Sequence, residues 1–245
     1  MPISFRFKLI PFVATVLLVA LGIELGNWQQ RRAAQKISTQ DKLAQGNVAG
    51  PLVLDGQPLA AGAVEFRRVS ATGQFVADWP LYLDNRPYQG RSGFYVLMPF
   101  KIAGSGMHVL VQRGWLPRDS AQHDKLPAYA TPSGTVTVEG VARLNPGHVM
   151  QLGTAPPLAP KAIVQNADPL QVAAQSGLTM QPFVLQQTAP AKPGGDDTAM
   201  ARDWALPAMS VEKHQGYAFQ WYALAAMAAL FFVITGFRSG RKQGG

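Results

Sequence analysis

Two long apolar stretches lie towards the ends of the chain, and the positions between them alternate on a much shorter period. The first, Leu9 to Gly26, reads LIPFVATVLLVALGIELG. As an α-helix it would rise about 27 Å, close to the hydrocarbon thickness of a bilayer. Pro11 falls in its first turn, where a missing N–H costs little. Glu24 falls near its end, where a carboxylate reaches interfacial water. The second stretch, Gly216 to Phe237, carries no charge. It would span about 33 Å, with Tyr217, Trp221 and Tyr222 crowding its first turns like an aromatic belt. The pattern predicts transmembrane helices over 9–26 and 214–237, with 27–213 as a folded domain between them.

Within that domain, apolar and polar positions alternate in short runs rich in β-branched and aromatic residues, separated by Gly, Pro, Asn and Asp. Strands are predicted over 63–76, 79–83, 93–102, 107–116, 134–144, 161–166 and 181–187. Gly104-Ser105-Gly106 reads as a hairpin loop. Pro169 to Ser176 is the one predicted short helix, with Asp168 as its N-cap. Residues 153–160 and 188–202 read as Pro- and Gly-rich loops, the second long enough to be mobile. The expected fold is a membrane protein with two transmembrane helices flanking a β-rich α+β domain, its antiparallel sheet curled towards a barrel or sandwich.

Composition narrows the classes. In 245 residues, 47% are hydrophobic, enough for a core once the apolar ends are set aside. The net charge of +8 is spread without a basic stripe, so a nucleic-acid partner is not expected. The chain has no cysteine, which excludes disulfides, a CxxCH haem attachment and thiolate metal sites. Arg6 and Lys8 precede the first helix, and Arg238, Arg241 and Lys242 follow the second. Both termini are therefore expected in the cytoplasm and the central domain in the periplasm. Arg31, Arg32 and Lys36 lie on the opposite side, but long domains translocate largely regardless of charge. A cleaved signal peptide shares the basic start and apolar run, with Ala20-Leu21-Gly22 as its small-x-small site. Against that reading, Trp28 with Arg31 and Arg32 resembles an interfacial anchor. No transit peptide is expected before the first span, which points to a bacterial inner membrane.

The domain offers little chemistry. It holds no Gly-x-Ser-x-Gly, His-Glu-x-x-His, phosphate loop or dinucleotide fingerprint, and no enzyme is expected. His108, His123 and His148 are scattered without ligand spacing, and Arg91 and Arg113 sit beside glycines as turn and strand-end features. The specialised segment is Glu212-Lys213-His214-Gln215-Gly216-Tyr217-Ala218-Phe219-Gln220-Trp221. If a helix begins by His214, then Tyr217, Ala218 and Trp221 follow on one face. That face offers an axial nitrogen for iron, aromatic planes and room for a ring, which are the features a haem uses. Lys213 and the Arg31/Arg32 pair would face its propionates. Tyr and Trp at a membrane interface also occur without any ligand, so both readings stand at this level. Gly22 and Gly26 form a GxxxG, with Ala225 and Ala229 spaced alike on the second helix.

Four segments in order carry a family resemblance: Leu25-Gly26-Asn27-Trp28-Gln29 with Arg31 and Lys36; Gly90-Arg91-Ser92-Gly93-Phe94 running to Pro99; Val109 through Gln112-Arg113-Gly114-Trp115 with Pro117; and Lys213-His214 through Tyr217-Ala218 to Gln220-Trp221. Together the chain resembles the Surfeit locus protein family of cytochrome c oxidase assembly factors. The resemblance implies a non-enzymatic role in maturing haem–copper oxidases by handling haem a, bound transiently, for the catalytic subunit. It implies His214 as the haem-binding histidine; on the leading reading His214 is the axial ligand of the iron, with Trp221, Tyr217 and Trp28 lining the site. The oxidase catalytic subunit, a haem a synthase and membrane lipid are the partners it suggests. A scaffold that stabilises an oxidase subunit without binding haem is the alternative.

Overall fold

The computed structural model describes residues 5–48, 50–122, 125–151, 153–192, 199–204 and 210–241. It divides into two compact units, residues 1–41 with 206–245, and residues 42–205.

The first unit is built on two helices, α1 (Leu9–Val48) and α4 (Val211–Arg241). The apolar run ending at Gly26 is thus the first part of a longer helix. Its continuation is rich in Gln, Ala, Arg and Lys, all good helix formers, but carries no apolar stripe from which a helix could be read. Both helices are long and apolar enough to cross a membrane, and only 11% of each apolar window is buried. A core helix of a soluble protein would be mostly covered, so these surfaces are suited to lipid.

Small residues bring the two helices together. A Cβ on Gly22 would lie 2.9 Å from the Ala225 Cβ, and one on Gly26 would enter the Tyr222 ring. Only glycine permits that approach. Ala229, by contrast, is exposed, so of the Ala225/Ala229 pair only Ala225 joins the contact. Towards the chain's start, Phe5, Phe7 and Phe12 surround Phe232 at centroid separations of 5.9, 6.4 and 5.8 Å. The Arg6 N–H donates to the Gly236 carbonyl at 3.1 Å, which completes an antiparallel arrangement.

The second unit holds β1 (Leu52–Val53), α2 (Ala61–Val64), β2 (Arg68–Phe75), β3 (Leu81–Leu83), β4 (Gly93–Ile102), β5 (His108–Pro117), β6 (Val136–Arg143), β7 (Ile163–Val164), α3 (Pro169–Ser176) and β8 (Met180–Gln187). The sheet order is β1-β2-β6-β8-β5-β4-β3-β7, and β2 also pairs with β4. That extra pairing closes β2, β6, β8, β5 and β4 into a barrel, one of the two forms the alternation allowed. Closure occurs where Gly73 opposes Ile102 and Phe75 opposes Phe100; a Cβ at Gly73 would strike the Lys101 carbonyl.

Burial explains why some strands were easier to read than others. In β2 and β6 every second residue is buried, the mark of one face on a core. β5 is buried almost throughout, because the barrel fills one face and a second layer covers the other. The interior is Val69, Ala71, Phe100, Ile102, Val109, Val111, Val136, Val138, Phe183 and Leu185. Outside it, Leu81, Leu97, Leu110, Val172 and Val184 form another cluster beneath α3. Asp168 Oδ1 accepts from the Leu170 N–H at 2.8 Å, and Gly177 ends the helix at φ 69°, as capping chemistry requires.

Two details differ from the expectation. The segment 63–76 is not one strand: α2 and a turn through Phe66 at φ 67° precede β2, because Val64 and Phe66 are buried by helix and turn rather than by alternation. The sheet is also mixed, with β1–β2, β3–β7 and β5–β8 parallel, a choice made by connections that no local pattern encodes. Of the predicted loop 188–202, Lys192 pairs with Thr137 and Ala201 with Trp115, while residues 193–198 lie outside the described part.

Candidate functional site

The helix-pair geometry places one histidine in a defined environment. On α1, Gly22, Gly26 and Gln29 recur at helical spacing and turn one face to α4. On α4, Ala225, Tyr222, Ala218 and His214 recur in the reverse order. Ala218 is fully buried, and Gln29 is 9% exposed. The His214 Nδ1 lies 2.7 Å from Gln29 Oε1. A carboxamide oxygen only accepts, so this contact calls for the proton on Nδ1. Beside it, the Tyr222 hydroxyl donates to Asn27 Oδ1 at 2.9 Å.

The other expected residues are distributed differently. Trp221 is partly buried and lines an apolar groove of about 650 Å³ with Leu18, Leu21, Leu224, Met227 and Phe231, a groove that does not include His214. Tyr217 is 52% exposed and Trp28 45% exposed, so both present open aromatic surface. The Arg32 guanidinium stands over the Trp28 ring at 5.7 Å. Arg31 and Lys213 are exposed, available to an anion at the surface of this unit. Gln29 was named from the sequence only within the Leu25-Gly26-Asn27-Trp28-Gln29 segment, with no part in the site. Its signal was present: it lies three residues beyond Gly26, on the face that the GxxxG had already marked as an interface.

The remaining histidines and arginines singled out by the sequence that are described belong to the second unit. His108 is buried in β5 with Nδ1 3.1 Å from the Thr179 carbonyl, and His148 is exposed in a loop. His123 lies outside the described residues. Among the described residues no group of three His, Cys, Asp or Glu could hold a metal. Arg91 is exposed at the turn Tyr88–Arg91, whose central Gln89 and Gly90 both have positive φ. Arg113 is not at a strand end. It is the extra residue of a β5 bulge, because Val96 pairs with Gly114 and Leu97 with Gln112. Fully buried, it donates to Thr131 Oγ1 at 2.8 Å and to the Ala130 carbonyl at 3.1 Å, with its guanidinium 4.6 Å from the Phe75 ring centroid. The GRSGF and QRGW segments meet on adjacent strands. A side chain at Gly93 would strike Trp115, whose indole N–H donates to the Arg86 carbonyl at 2.7 Å.

The four segments singled out by resemblance therefore meet in pairs, one pair in each unit. Comparison with known proteins agrees: residues 16–226 match the model of the SURF1 family. The chain belongs to the SURF1 family. A SURF1-like protein of Monosiga brevicollis is 26% identical over 240 residues, covering 90% of this chain and 85% of the relative. Surfeit locus protein 1 of Mus musculus is 26% identical over 241 residues, covering 89% and 73%. An uncharacterized SURF1-like protein of Mycobacterium bovis is 28% identical over 228 residues, covering 89% and 80%. In this SURF1-family chain the matched region includes the whole barrel and part of each apolar segment.

Proposed function

We propose that this SURF1-family protein is a non-enzymatic assembly factor for a haem–copper cytochrome c oxidase, which binds haem a transiently and passes it to the catalytic subunit. The observation that carries the reading is the His214 imidazole, half-buried near the start of α4, with Nδ1 held by Gln29 at 2.7 Å and Nε2 left as the nitrogen for iron. A ligating histidine ordinarily has its other ring nitrogen secured in this way. The fit extends to the surroundings. Trp221 offers a partly buried aromatic face, Tyr217 and Trp28 offer exposed ones, and Lys213 and Arg31 are free to meet propionates. One protein nitrogen suits custody that must end in release.

The chain works at the inner membrane of a bacterium, with α1 and α4 spanning it, both termini cytoplasmic and the barrel in the periplasm. The oxidase catalytic subunit is the recipient and a haem a synthase the donor. The competing reading is a scaffold that holds an oxidase subunit through the helix pair. It draws on the apolar groove lined by Trp221, Leu224 and Phe231, which would also seat a partner helix.

The test is an absorption spectrum of the protein purified from cells that synthesise haem a, beside His214→Ala. A haem a spectrum in the wild type that is lost or shifted in the variant supports custody at His214. Wild type that purifies without haem, in cells whose oxidase still depends on it, overturns the haem reading in favour of the scaffold.

A further inference from the structure

We infer that Gln29 is the positioning residue for His214: its side-chain oxygen holds the imidazole in the Nδ1–H tautomer and fixes the ring plane, so that Nε2 is the nitrogen presented to a ligand. The inference rests on the haem reading for its purpose, but the tautomer itself is a property of the chain alone. A neutral imidazole in water carries its proton on either nitrogen, so an Nε2 lone pair aimed at iron has to be selected by a partner on Nδ1.

Three observations single out Gln29. The Nδ1 to Oε1 separation is 2.7 Å, at the short end for an N–H···O bond. Gln29 is 9% exposed, so its carbonyl has little water to turn to and loses most of a hydrogen bond if His214 rotates away. Its placement is also enforced from α1's own spacing. Gly22 and Gly26 let the helices approach at Ala225 and Tyr222, and the next residue on that face is Gln29, which meets α4 at His214. A bulkier residue at Gly26 would move this contact as well.

The two ends of the carboxamide predict opposite outcomes. If the oxygen faces Nδ1, Gln29→Glu keeps the acceptor and strengthens it, so Nε2 becomes a better donor. If the amide –NH2 faced Nδ1, that ring nitrogen would be the acceptor, Nε2 would carry the proton and could not ligate.

The experiment is 15N NMR of histidine-labelled full-length protein in detergent, at a pH where the ring is neutral, followed by haem a titration and a potentiometric titration of the loaded form. Wild type is expected to show the Nδ1–H tautomer at His214, and Gln29→Leu to lose that preference while the protein still folds, as far-ultraviolet circular dichroism would show. Haem a affinity in Gln29→Leu is expected to fall about 10- to 100-fold, the usual effect of removing such a partner. Gln29→Glu is expected to retain haem and shift its reduction potential downward. An Nε2–H tautomer in the wild type, or a tautomer unchanged in Gln29→Leu, overturns the positioning role. Wild type that shows the Nδ1–H tautomer yet takes up no haem a upholds the positioning of His214 and overturns the haem reading instead.

Discussion

The close approach at Gly26 can be tested by a single methyl group. In Gly26→Ala the new Cβ would lie 2.7 Å from Tyr222 Cζ and 2.8 Å from Cδ1. Carbon pairs prefer about 3.5–4.0 Å, so the ring has to retreat by roughly 1 Å. Overpacking of that kind costs about 1–3 kcal/mol. Retreat also stretches the 2.9 Å bond from the Tyr222 hydroxyl to Asn27, a further loss of about 0.5–1.5 kcal/mol. Against this, alanine is about 1 kcal/mol better than glycine inside a helix. The helix pair is therefore expected to lose about 1–3 kcal/mol net. Shortening the opposing side chain removes the clash, so Gly26→Ala with Tyr222→Leu is expected to be at least about 1 kcal/mol more stable than the two single effects predict. The assay is a double-mutant cycle in mild detergent, following dissociation of the helix pair in SDS by tryptophan fluorescence. Single effects that add to within about 0.5 kcal/mol would refute direct packing of Gly26 on Tyr222.

Two further outcomes follow from the barrel. Phe100 is fully buried and meets Phe75 edge-on at 4.9 Å, so Phe100→Ala is expected to cost about 3–5 kcal/mol in denaturant unfolding followed by near-ultraviolet circular dichroism. A loss below about 1 kcal/mol would mean that this position is not core. Burial, and then the hydrogen bond with Tyr82, raise the Tyr129 phenol above its ordinary value of 10.0. The folded state then holds a proton that the unfolded chain releases, so this group's contribution is intact below pH 10.0 and is lost as pH rises through the raised value. Tyr129→Phe should flatten that alkaline decline in a pH series of melting temperatures, and an unaltered decline would assign it to another group.

What was legible along the chain was what hydrophobic periodicity and local capping control. The apolar stretches at 9–26 and 216–237 mark helices whatever surrounds them, because an unbroken apolar run has no other way to satisfy its backbone in lipid. Val136 to Arg143 shows its one-sided burial in its own alternation, and Asp168-Pro169 with Gly177 delimits α3 by side-chain chemistry reaching no further than a few residues. His214 was equally visible, as an imidazole at the start of an apolar helix. Other features depended on partners distant in sequence. The continuation of α1 to Val48 has no apolar stripe to announce it, and the first turn of the segment 63–76 became α2 because of what buries it. Barrel closure rests on Gly73 meeting Lys101, and the bulge at Arg113 on the register of β4 against β5. Gln29 and His214 stand 185 residues apart, and no local rule pairs them. Their meeting needs two helices to approach over Gly22 and Gly26, because a side-chain hydrogen bond is short-ranged and only packing brings its ends within reach.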